Sequence, residues 1–549
     1  MYTIINGENK KTFDYALTAG EILQTMCPKT DALACLLDGQ LLELNNLVCR
    51  DARVSPVTYA DDEGRRIYER GVRFILLLAA RRVLPGLKIR IENSLGYGVY
   101  MRFVQKEVTE EELALLEKEM HALVSMDLPF IKEKWTRERA LEYFTAQGAE
   151  DKAKLLSYRP YDWFYVYNCG GMAEYFYGAM PVSTGCVKAF SLWKCRDGFV
   201  MQLPSPEKPD TPAPAVERPR HLAAFDESNE WCRILRCTNV TDVNEMIRSG
   251  TFREFIRVNE ALQDKSAAAV AEKVVRKGAR AVFIAGPSSS GKTTFANRLR
   301  IQLRVLGYNP KLISLDDFYL DRKDLPPEAD GKPDLEALTA LDVPMIRKCV
   351  GELLDGKTVE MPLYDFHTQS RKPEGVMMNL AKDELLIVEG IHGLNPELHT
   401  AFDPGLIFKV FITELTCLNL DDHNRIRTTD ARLMRRIVRD HQFRATPPVD
   451  TLAMWASVRR GEEKWIFPYQ EQADVVFNSV LHYELPFIRN IAYDLLKRIP
   501  ADNPYHLVSQ RLIKILNYIL PAPVNAMTEI PPLSILREFI GGNTFYAES

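Results

Sequence analysis

Residues 281–294 read AVFIAGPSSSGKTT, and this segment carries the strongest structural signal in the chain. Its first five residues are apolar and predict a short, buried strand of a parallel sheet. The next nine fit G-x-x-x-x-G-K-[ST], a glycine-flanked loop whose backbone N–H groups can turn toward phosphate oxygens. A helix predicted over 295–306 adds positive potential at its N-terminus. The stretch therefore predicts a phosphate-binding P-loop made of Gly286, Pro287, Ser288, Ser289, Ser290, Gly291, Lys292, Thr293 and Thr294.

The P-loop pattern also predicts the cofactors, which are ATP and Mg²⁺. Lys292 is expected to reach the β- and γ-phosphates, and the Thr293 hydroxyl is expected to bind Mg²⁺. The loop alone does not identify the molecule that receives the phosphoryl group, so the acceptor has to be inferred from the segments around it.

Two further predicted strands end in acidic residues. A strand over 311–315 leads into Asp316, and a strand over 384–388 leads into Glu389. Ligands of open parallel sheets bind at the carboxyl ends of the strands. We therefore predict that Asp316 is the general base for an attacking hydroxyl, and that Glu389 binds Mg²⁺ or positions water.

Residues 430–440 carry a stripe of arginines. Arg432, Arg435, Arg436 and Arg439 are spaced i, i+3, i+4 and i+7, which places them on one helix face. Like charges at this spacing destabilise a helix by about 0.2–0.5 kcal/mol per pair, so anionic partners or an anionic ligand should offset them. We predict a lid over the phosphates in which Arg432 and Arg435 are catalytic.

Composition limits the class of protein. The chain has 549 residues, enough for several domains, and its net charge of -4 excludes a whole-chain basic field for nucleic acid. The apolar run over 74–80 is far shorter than the roughly 20 residues needed to cross a bilayer. No secretory signal is visible at the start, and the ten cysteines include no C-x-x-C pair. We therefore predict a cytoplasmic protein with reduced thiols and no membrane association.

The first 62 residues predict a small β-rich module. Two strand-like runs flank Asn6-Gly7, which favours a tight hairpin turn, and Thr18 with Glu21 forms a capping-box pattern ahead of a helix. This segment, 1–62, resembles the TGS domain, a ubiquitin-like β-grasp domain.

Residues 63–203 resemble the second additional, or editing, domain of threonyl-tRNA synthetase, most clearly at 84–86 and 183–185. That family's histidine positions hold Arg70, Phe74 and Met180 here, and only Cys169 remains as a candidate ligand. We therefore do not expect a site that needs several imidazole ligands. We expect this segment to be a degenerate binding or docking module. Residues 204–278 begin with six prolines between 203 and 220 and predict a linker followed by connecting helices.

The segment 279–500 is similar to the uridine kinase and phosphoribulokinase family. The resemblance rests on the P-loop, residues 314–319, the run PLYDF at 362–366, residues 387–391 and the arginine stripe. It implies an α/β fold: a P-loop NTPase-type parallel-sheet kinase domain, preceded here by the small β-grasp domain and the α+β editing-like domain. Residues 501–549 are predicted to form a C-terminal helical tail.

The resemblance also implies roles for individual residues. It implies that Asp316 is the base toward a nucleoside 5′-hydroxyl, and that Arg432 and Arg435 hold the acceptor or the phosphates. The implied acceptor contacts are Asp334 near the ribose hydroxyls, Tyr364 and Phe366 around the base, and Gln369 where pyrimidine kinases carry a histidine. A pocket built to pair one polar group rejects analogues that lack it, so Gln369 affects which base is read.

We therefore predict an ATP- and Mg²⁺-dependent kinase acting on the 5′-hydroxyl of a nucleoside, with a pyrimidine ribonucleoside favoured. Two alternatives stay open: a phosphoribulokinase-like sugar-phosphate kinase, and an ATP-gated regulatory protein associated with RNA or the ribosome. The predicted partners are the nucleoside substrate, an RNA or protein partner of the N-terminal modules, and further copies of the chain in a homo-oligomer.

Overall fold

A computed structural model describes residues 1–325, 334–416 and 418–545. The N-terminal part is a five-stranded sheet of order β2-β1-β7-β4-β5, in which only the β1–β7 pair is parallel. Its elements are β1 (Tyr2–Asn6), β2 (Asn9–Phe13), β3 (Leu17–Thr18), α1 (Ala19–Met26), β4 (Ala34–Leu37), β5 (Gln40–Leu42), β6 (Leu47–Val48) and β7 (Ala52–Val57). The predicted hairpin turns at Gly7, whose φ is 58°. The predicted capping box of Thr18 and Glu21 is present at the start of α1.

The next part combines a long buried helix with two antiparallel sheets, ordered β13-β14-β9-β8 and β10-β11-β12. Its elements are α2 (Asp62–Val83), β8 (Ile89–Leu95), β9 (Gly98–Phe103), α3 (Glu110–Ser125), β10 (Ile131–Thr136), α4 (Arg137–Ala146), α5 (Glu150–Leu156), β11 (Trp163–Cys169), β12 (Met172–Glu174), β13 (Ser191–Cys195) and β14 (Gly198–Gln202). The α+β character expected for this region is confirmed.

The proline-rich stretch is more ordered than the sequence predicts. It forms an antiparallel pair of strands before a series of helices. These elements are β15 (Pro204–Ser205), β16 (Lys208–Pro212), α6 (Pro219–Leu235), α7 (Val240–Ser249) and α8 (Phe252–Lys277). Residues 204–212 therefore form a short two-stranded ribbon within the segment that the sequence predicts to begin with a linker.

The C-terminal half is built on a parallel sheet of order β18-β23-β17-β24-β27. Its elements are β17 (Ala281–Ala285), α9 (Lys292–Val305), β18 (Lys311–Ser314), α10 (Val343–Leu354), β19 (Val359–Met361), β20 (Tyr364–Asp365), β21 (Ser370–Arg371), β22 (Val376–Met378), β23 (Leu386–Glu389), α11 (Pro396–His399), β24 (Ile407–Thr413), β25 (Asn419–Asp421), β26 (Asn424–Arg425), α12 (Thr428–Phe443), α13 (Pro448–Trp465), β27 (Val475–Asn478), α14 (Glu484–Lys497), α15 (His506–Leu516) and α16 (Arg537–Ile540). Helices pack against this sheet, as the predicted α/β fold requires.

Residues 501–545 are not a free tail. Apolar side chains of α15 and α16 are buried in the same core as β17, β24 and α9. Ile535 also packs against the P-loop, where a Cβ built on Gly291 would lie 2.7 Å from its Cγ2 atom. This segment therefore belongs physically to the core of the parallel sheet.

The N-terminal modules are joined to the parallel-sheet half through buried charges. Arg66 on α2 lies 3.2 Å from Asp430 on α12, and Lys152 on α5 lies 3.0 Å from Asp421 on β25. These side chains are at most 7% exposed, and breaking such a pair leaves an uncompensated buried charge. Across the described ranges, no helix is both long and apolar enough to span a membrane.

Candidate active site

Three neighbouring parallel strands end at one edge of the sheet. Ser314 at the end of β18 pairs with Glu389 at the end of β23, and Glu389 in turn pairs with Ile284 of β17. The loops that follow these strands therefore meet, and they enclose a cleft of about 360 Å³. Lys292 and Asp316, which the sequence predicts to act together, both line it.

The P-loop is shaped to receive anions. Gly291 has a φ of 84°, a conformation that a residue with a Cβ rarely adopts, and α9 begins directly after it. The hydroxyls of Ser289 and Ser290 are buried, and neither has a hydrogen-bond partner within the described part of the chain. Buried polar atoms are nearly always paired, so these two fit a loop whose partners are phosphate oxygens.

Oxygen donors suited to Mg²⁺ lie beside Lys292. The Thr293 hydroxyl donates to Glu389 Oε1 at 3.2 Å, and the Ser314 hydroxyl donates to the same oxygen at 3.3 Å. Among the described residues there is no cluster of three or more His, Cys, Asp or Glu suited to a metal ion. Mg²⁺ in phosphoryl-transfer sites takes one or two protein oxygens plus phosphates and water, so the donors present fit that ion.

Burial dominates the electrostatics of the cleft. It raises the pKa of Glu389 to about 7, with a further rise from the negative charge of Asp316. Burial also lowers the pKa of Lys292 and raises the pKa of Asp316, although each partly offsets the shift of the other. A carboxylate with a raised pKa is a stronger proton acceptor, which is the property required of a general base.

Aromatic rings form another wall of the cleft. The ring centroids of Tyr364 and Phe366 lie 5.0 Å apart, and that of Tyr319 lies 5.7 Å from Tyr364. Phe366 is 60% exposed, so its ring is free to contact a ligand. Gln369 also lines the cleft, with its side-chain oxygen accepting a hydrogen bond from Arg322. All three predicted base-contacting residues, Tyr364, Phe366 and Gln369, therefore lie together.

The predicted orientation of Arg432 and Arg435 toward the cleft is wrong. Both side chains are 1% exposed and neither lines the cleft. Arg432 Nη2 donates to Glu462 at 2.8 Å, and Arg435 Nε donates to Glu484 at 3.0 Å. The repulsion within the stripe is thus offset by protein carboxylates, which lie 30 and 49 residues further along the chain.

These two arginines anchor the P-loop instead. Arg432 donates to the carbonyl oxygen of Ser288 at 2.9 Å, and Arg435 donates to that of Ser289 at 3.4 Å. Guanidiniums on the carbonyl side of the loop fix its backbone against α12. The role that these contacts support is positioning of the loop.

The arginines that line the cleft lie on the next turn of α12 and at the residue that directly follows this helix. Arg436, Arg439 and Arg444 line the cleft. Arg436 also donates to the Ser288 hydroxyl at 2.8 Å. The spacing of the arginines predicts that they share one face of the helix, but it does not show which turn of the helix reaches the cleft. The arginines predicted to act in the cleft therefore lie one turn before those that line it.

Glu336 contributes a carboxylate to the cleft, where the sequence predicts Asp334. Glu336 lines the cleft, and burial raises its pKa to about 7. Asp334 does not line the cleft and accepts a hydrogen bond from the backbone N–H of Glu336 at 3.0 Å. The two preceding residues, 332 and 333, lie outside the described ranges.

One cleft residue has no signal in the sequence pattern. Glu538, on α16 near the end of the chain, accepts a hydrogen bond from the Thr294 hydroxyl at 2.6 Å and lies 3.7 Å from Arg439. It reaches the P-loop because the C-terminal segment packs across Gly291. Nothing in the spacing of the P-loop motif indicates a carboxylate contributed from so far along the chain.

The editing-like module holds no equivalent centre. The positions aligned with its histidine and cysteine ligands are all buried: Arg70, Phe74, Cys169 and Met180. Arg70 pairs with Glu63 at 2.9 Å and donates to the carbonyl oxygen of Ala179. These positions therefore serve the packing of α2.

The different roles assigned to the arginines predict different stabilities. Arg435→Ala leaves Glu484 buried and unpaired, so we expect a loss of about 3–5 kcal/mol in the free energy of unfolding. The matched change Arg444→Ala removes an arginine that is 55% exposed, and it should cost less than about 1 kcal/mol. Urea denaturation of both variants measures the difference, and equal losses would contradict the assignment.

The raised pKa of Glu389 predicts a pH-dependent stability in the nucleotide-free protein. Because its folded pKa of about 7 exceeds the ordinary value of 4.5, this group disfavours folding increasingly as pH rises through that window. Glu389→Gln should therefore match wild type near pH 4 and be more stable at pH 8 by on the order of 3 kcal/mol. Thermal unfolding across this range checks it, and a difference that is constant with pH would exclude the effect.

Comparisons with known proteins find two groups of similar proteins, one for each part of the chain. Residues 281–485 match the model of the Phosphoribulokinase / Uridine kinase family. Among solved structures, a possible uridine kinase from Bacillus stearothermophilus is 20% identical with a TM-score of 0.25, and the match covers 36% of this chain and 89% of that one. D-glycerate 3-kinase from Cryptococcus neoformans is 15% identical with a TM-score of 0.22, covering 47% of this chain and 88% of that one.

The N-terminal region matches a different group of proteins. Threonine--tRNA ligase of Halorhodospira halophila is 31% identical over 193 residues, which are 34% of this chain and 30% of the ligase. That of Anaplasma marginale (strain Florida) is 29% identical over 191 residues, again 34% of this chain and 30% of the ligase. The chain thus spans about 30% of the length of these curated relatives. Residues 281–485 thus match the Phosphoribulokinase / Uridine kinase family model, and the N-terminal region is similar to part of threonine--tRNA ligases.

Proposed function

We propose that this protein is an ATP- and Mg²⁺-dependent kinase that phosphorylates the 5′-hydroxyl of a nucleoside, with pyrimidine ribonucleosides the favoured class. The observation that carries the proposal is that Lys292 and Asp316 line one cleft, together with an aromatic wall. A phosphate-binding lysine, a carboxylate base and flat ring faces are the three features that transfer from ATP to a nucleoside requires.

In the proposed reaction, Asp316 accepts the proton of the acceptor hydroxyl as its oxygen bonds to the γ-phosphorus. The bond from that phosphorus to the bridging oxygen breaks, and ADP leaves. Lys292 donates hydrogen bonds to phosphate oxygens, and Arg436 and Arg439 oppose the negative charge that spreads over the transferred group. Bound Mg²⁺ supplies further charge neutralisation, and Thr293 and Glu389 are the residues that would hold it.

The acceptor side of the cleft supports a nucleoside. Tyr364 and Phe366 offer ring faces on which a base can stack, which is worth about 1–3 kcal/mol per base in nucleic-acid sites. Gln369 can donate and accept hydrogen bonds at the edge of a base. Glu336 adds a carboxylate that can accept from sugar hydroxyls, the role that the sequence had given to Asp334.

A sugar-phosphate acceptor is the second candidate, and the arginines favour it. Arg436, Arg439 and Arg444 line the cleft, and three guanidiniums exceed what the transferred phosphoryl group alone requires. A phosphorylated acceptor would use the additional charge for its own phosphate. The two candidates differ in whether the aromatic rings contribute to binding.

A panel of acceptors distinguishes these candidates. Purified protein with labelled ATP and Mg²⁺ should phosphorylate uridine or cytidine with a kcat/KM at least tenfold above that for ribulose 5-phosphate. Phe366→Ala should raise the KM for the nucleoside several-fold because it removes a stacking face, while Lys292→Ala serves as the inactive control. Preference for ribulose 5-phosphate would establish the second candidate, and transfer to no acceptor would exclude both.

A further inference from the structure

A second cleft lies away from the P-loop, where the N-terminal modules meet the C-terminal segment. Its walls come from residues 41–46, from the sheet of β10 and β11, and from helix α15. Its volume is about 420 Å³, larger than the 360 Å³ of the P-loop cleft and within the range of small-molecule sites. The described residues therefore hold room for a ligand of nucleotide size outside the active site.

The charges lining this cleft do not balance. Four basic side chains and two carboxylates line it: Lys132, Arg159, Arg511 and Lys514, and Glu43 and Glu63. Both carboxylates are already engaged, because Lys132 lies 3.1 Å from Glu43 and Arg70 lies 2.9 Å from Glu63. The cleft thus keeps positive charge that its own carboxylates do not offset.

Two of its cations have no acidic partner among the residues that the structure describes. Within the described ranges no carboxylate oxygen lies within 4 Å of Arg159 or Lys514. Burial and the nearby charges of Arg70, Lys132 and Arg159 all lower the pKa of Lys514, and only Glu63 opposes them. Cations held together without an acid are stabilised when an anion binds between them.

Ring faces lie beside these cations. Tyr161 is 54% exposed and Tyr165 is 47% exposed, although both line the cleft. The Lys132 ammonium lies 4.9 Å from the ring centroid of Tyr165, and the Arg159 guanidinium lies 4.6 Å from that of Phe164. Rings next to cations suit a ligand that carries both a planar ring and a negative charge.

We propose that this cleft is a binding site for a nucleoside phosphate, with the phosphate held by Arg159 and Lys514 and the base stacked on the exposed tyrosines. The volume of about 420 Å³ suits a small molecule. The proposal does not rest on the kinase activity, because it concerns binding at residues that the P-loop cleft does not contain.

Lys514 offers a variant with little structural cost. It has no hydrogen bond or ion pair to lose among the described residues, and its side chain lines the cleft. Lys514→Ala and Lys514→Glu therefore test the charge without removing a packing contact. Lys273→Ala, at an exposed position on α8, is the matched control for loss of one lysine.

The experiment is calorimetric titration of the full-length chain with the 5′-mono- and triphosphates of adenosine, guanosine, cytidine and uridine. At least one nucleotide should bind with a stoichiometry of two per chain. The second equivalent should still bind in the Lys292→Ala variant. Lys514→Ala should weaken that equivalent at least tenfold, and Lys514→Glu should weaken it further, while Lys273→Ala leaves it unchanged.

Three outcomes would overturn the proposal. The first is that none of the eight nucleotides binds beyond one equivalent, or that the Lys514 variants bind like the control. The second is that pyrophosphate binds the second site as tightly as the nucleotides do, which would show that no base is recognised. The third is that single-stranded RNA binds there in a Lys514-dependent manner when free nucleotides do not, which would make the cleft an RNA site.

Discussion

The candidate site depends on one constraint, the parallel pairing of β18, β23 and β17. Neighbouring parallel strands must end at the same edge, and here the register places Ser314, Glu389 and Ile284 side by side. This pairing brings together in one cleft the P-loop, the carboxylate of Asp316 and the oxygens suited to Mg²⁺. A shift of one residue in any pairing would turn alternate side chains to the other face and separate these groups.

Helix α12 adds the second level of organisation. Arg432 and Arg435 pair with buried carboxylates and donate hydrogen bonds to the P-loop carbonyls. The later arginines of the helix, Arg436 and Arg439, line the cleft. The same helix meets the N-terminal modules, since Asp430 pairs with Arg66 and lies 3.1 Å from Arg511 of α15. Arg511 also lines the second cleft, so α12 and its partners connect both clefts through charged contacts.

Local patterns in the sequence predicted local structure well. The P-loop, the strand ends at Asp316 and Glu389, and the Thr18 capping box depend on residues close together in the chain. Long-range partners were not predictable in the same way. The spacing of Arg432 and Arg435 does not reveal their buried partners, because the carboxylates that pair with them lie 30 and 49 residues further along the chain. Glu538 has no local signal either, because it follows the P-loop by more than 200 residues. Glu336 lies two residues after the predicted Asp334, which accepts a hydrogen bond from the Glu336 backbone N–H.

The most direct test of the central claim is the turnover of Asp316→Asn beside its ATP affinity. Loss of the base should lower kcat by about 100- to 10,000-fold, while calorimetry finds ATP bound within threefold of wild type. The neighbouring Asp317→Asn is the matched control, because Asp317 accepts from the backbone N–H of Tyr364 and does not line the cleft. Turnover of Asp316→Asn within threefold of wild type would contradict the account.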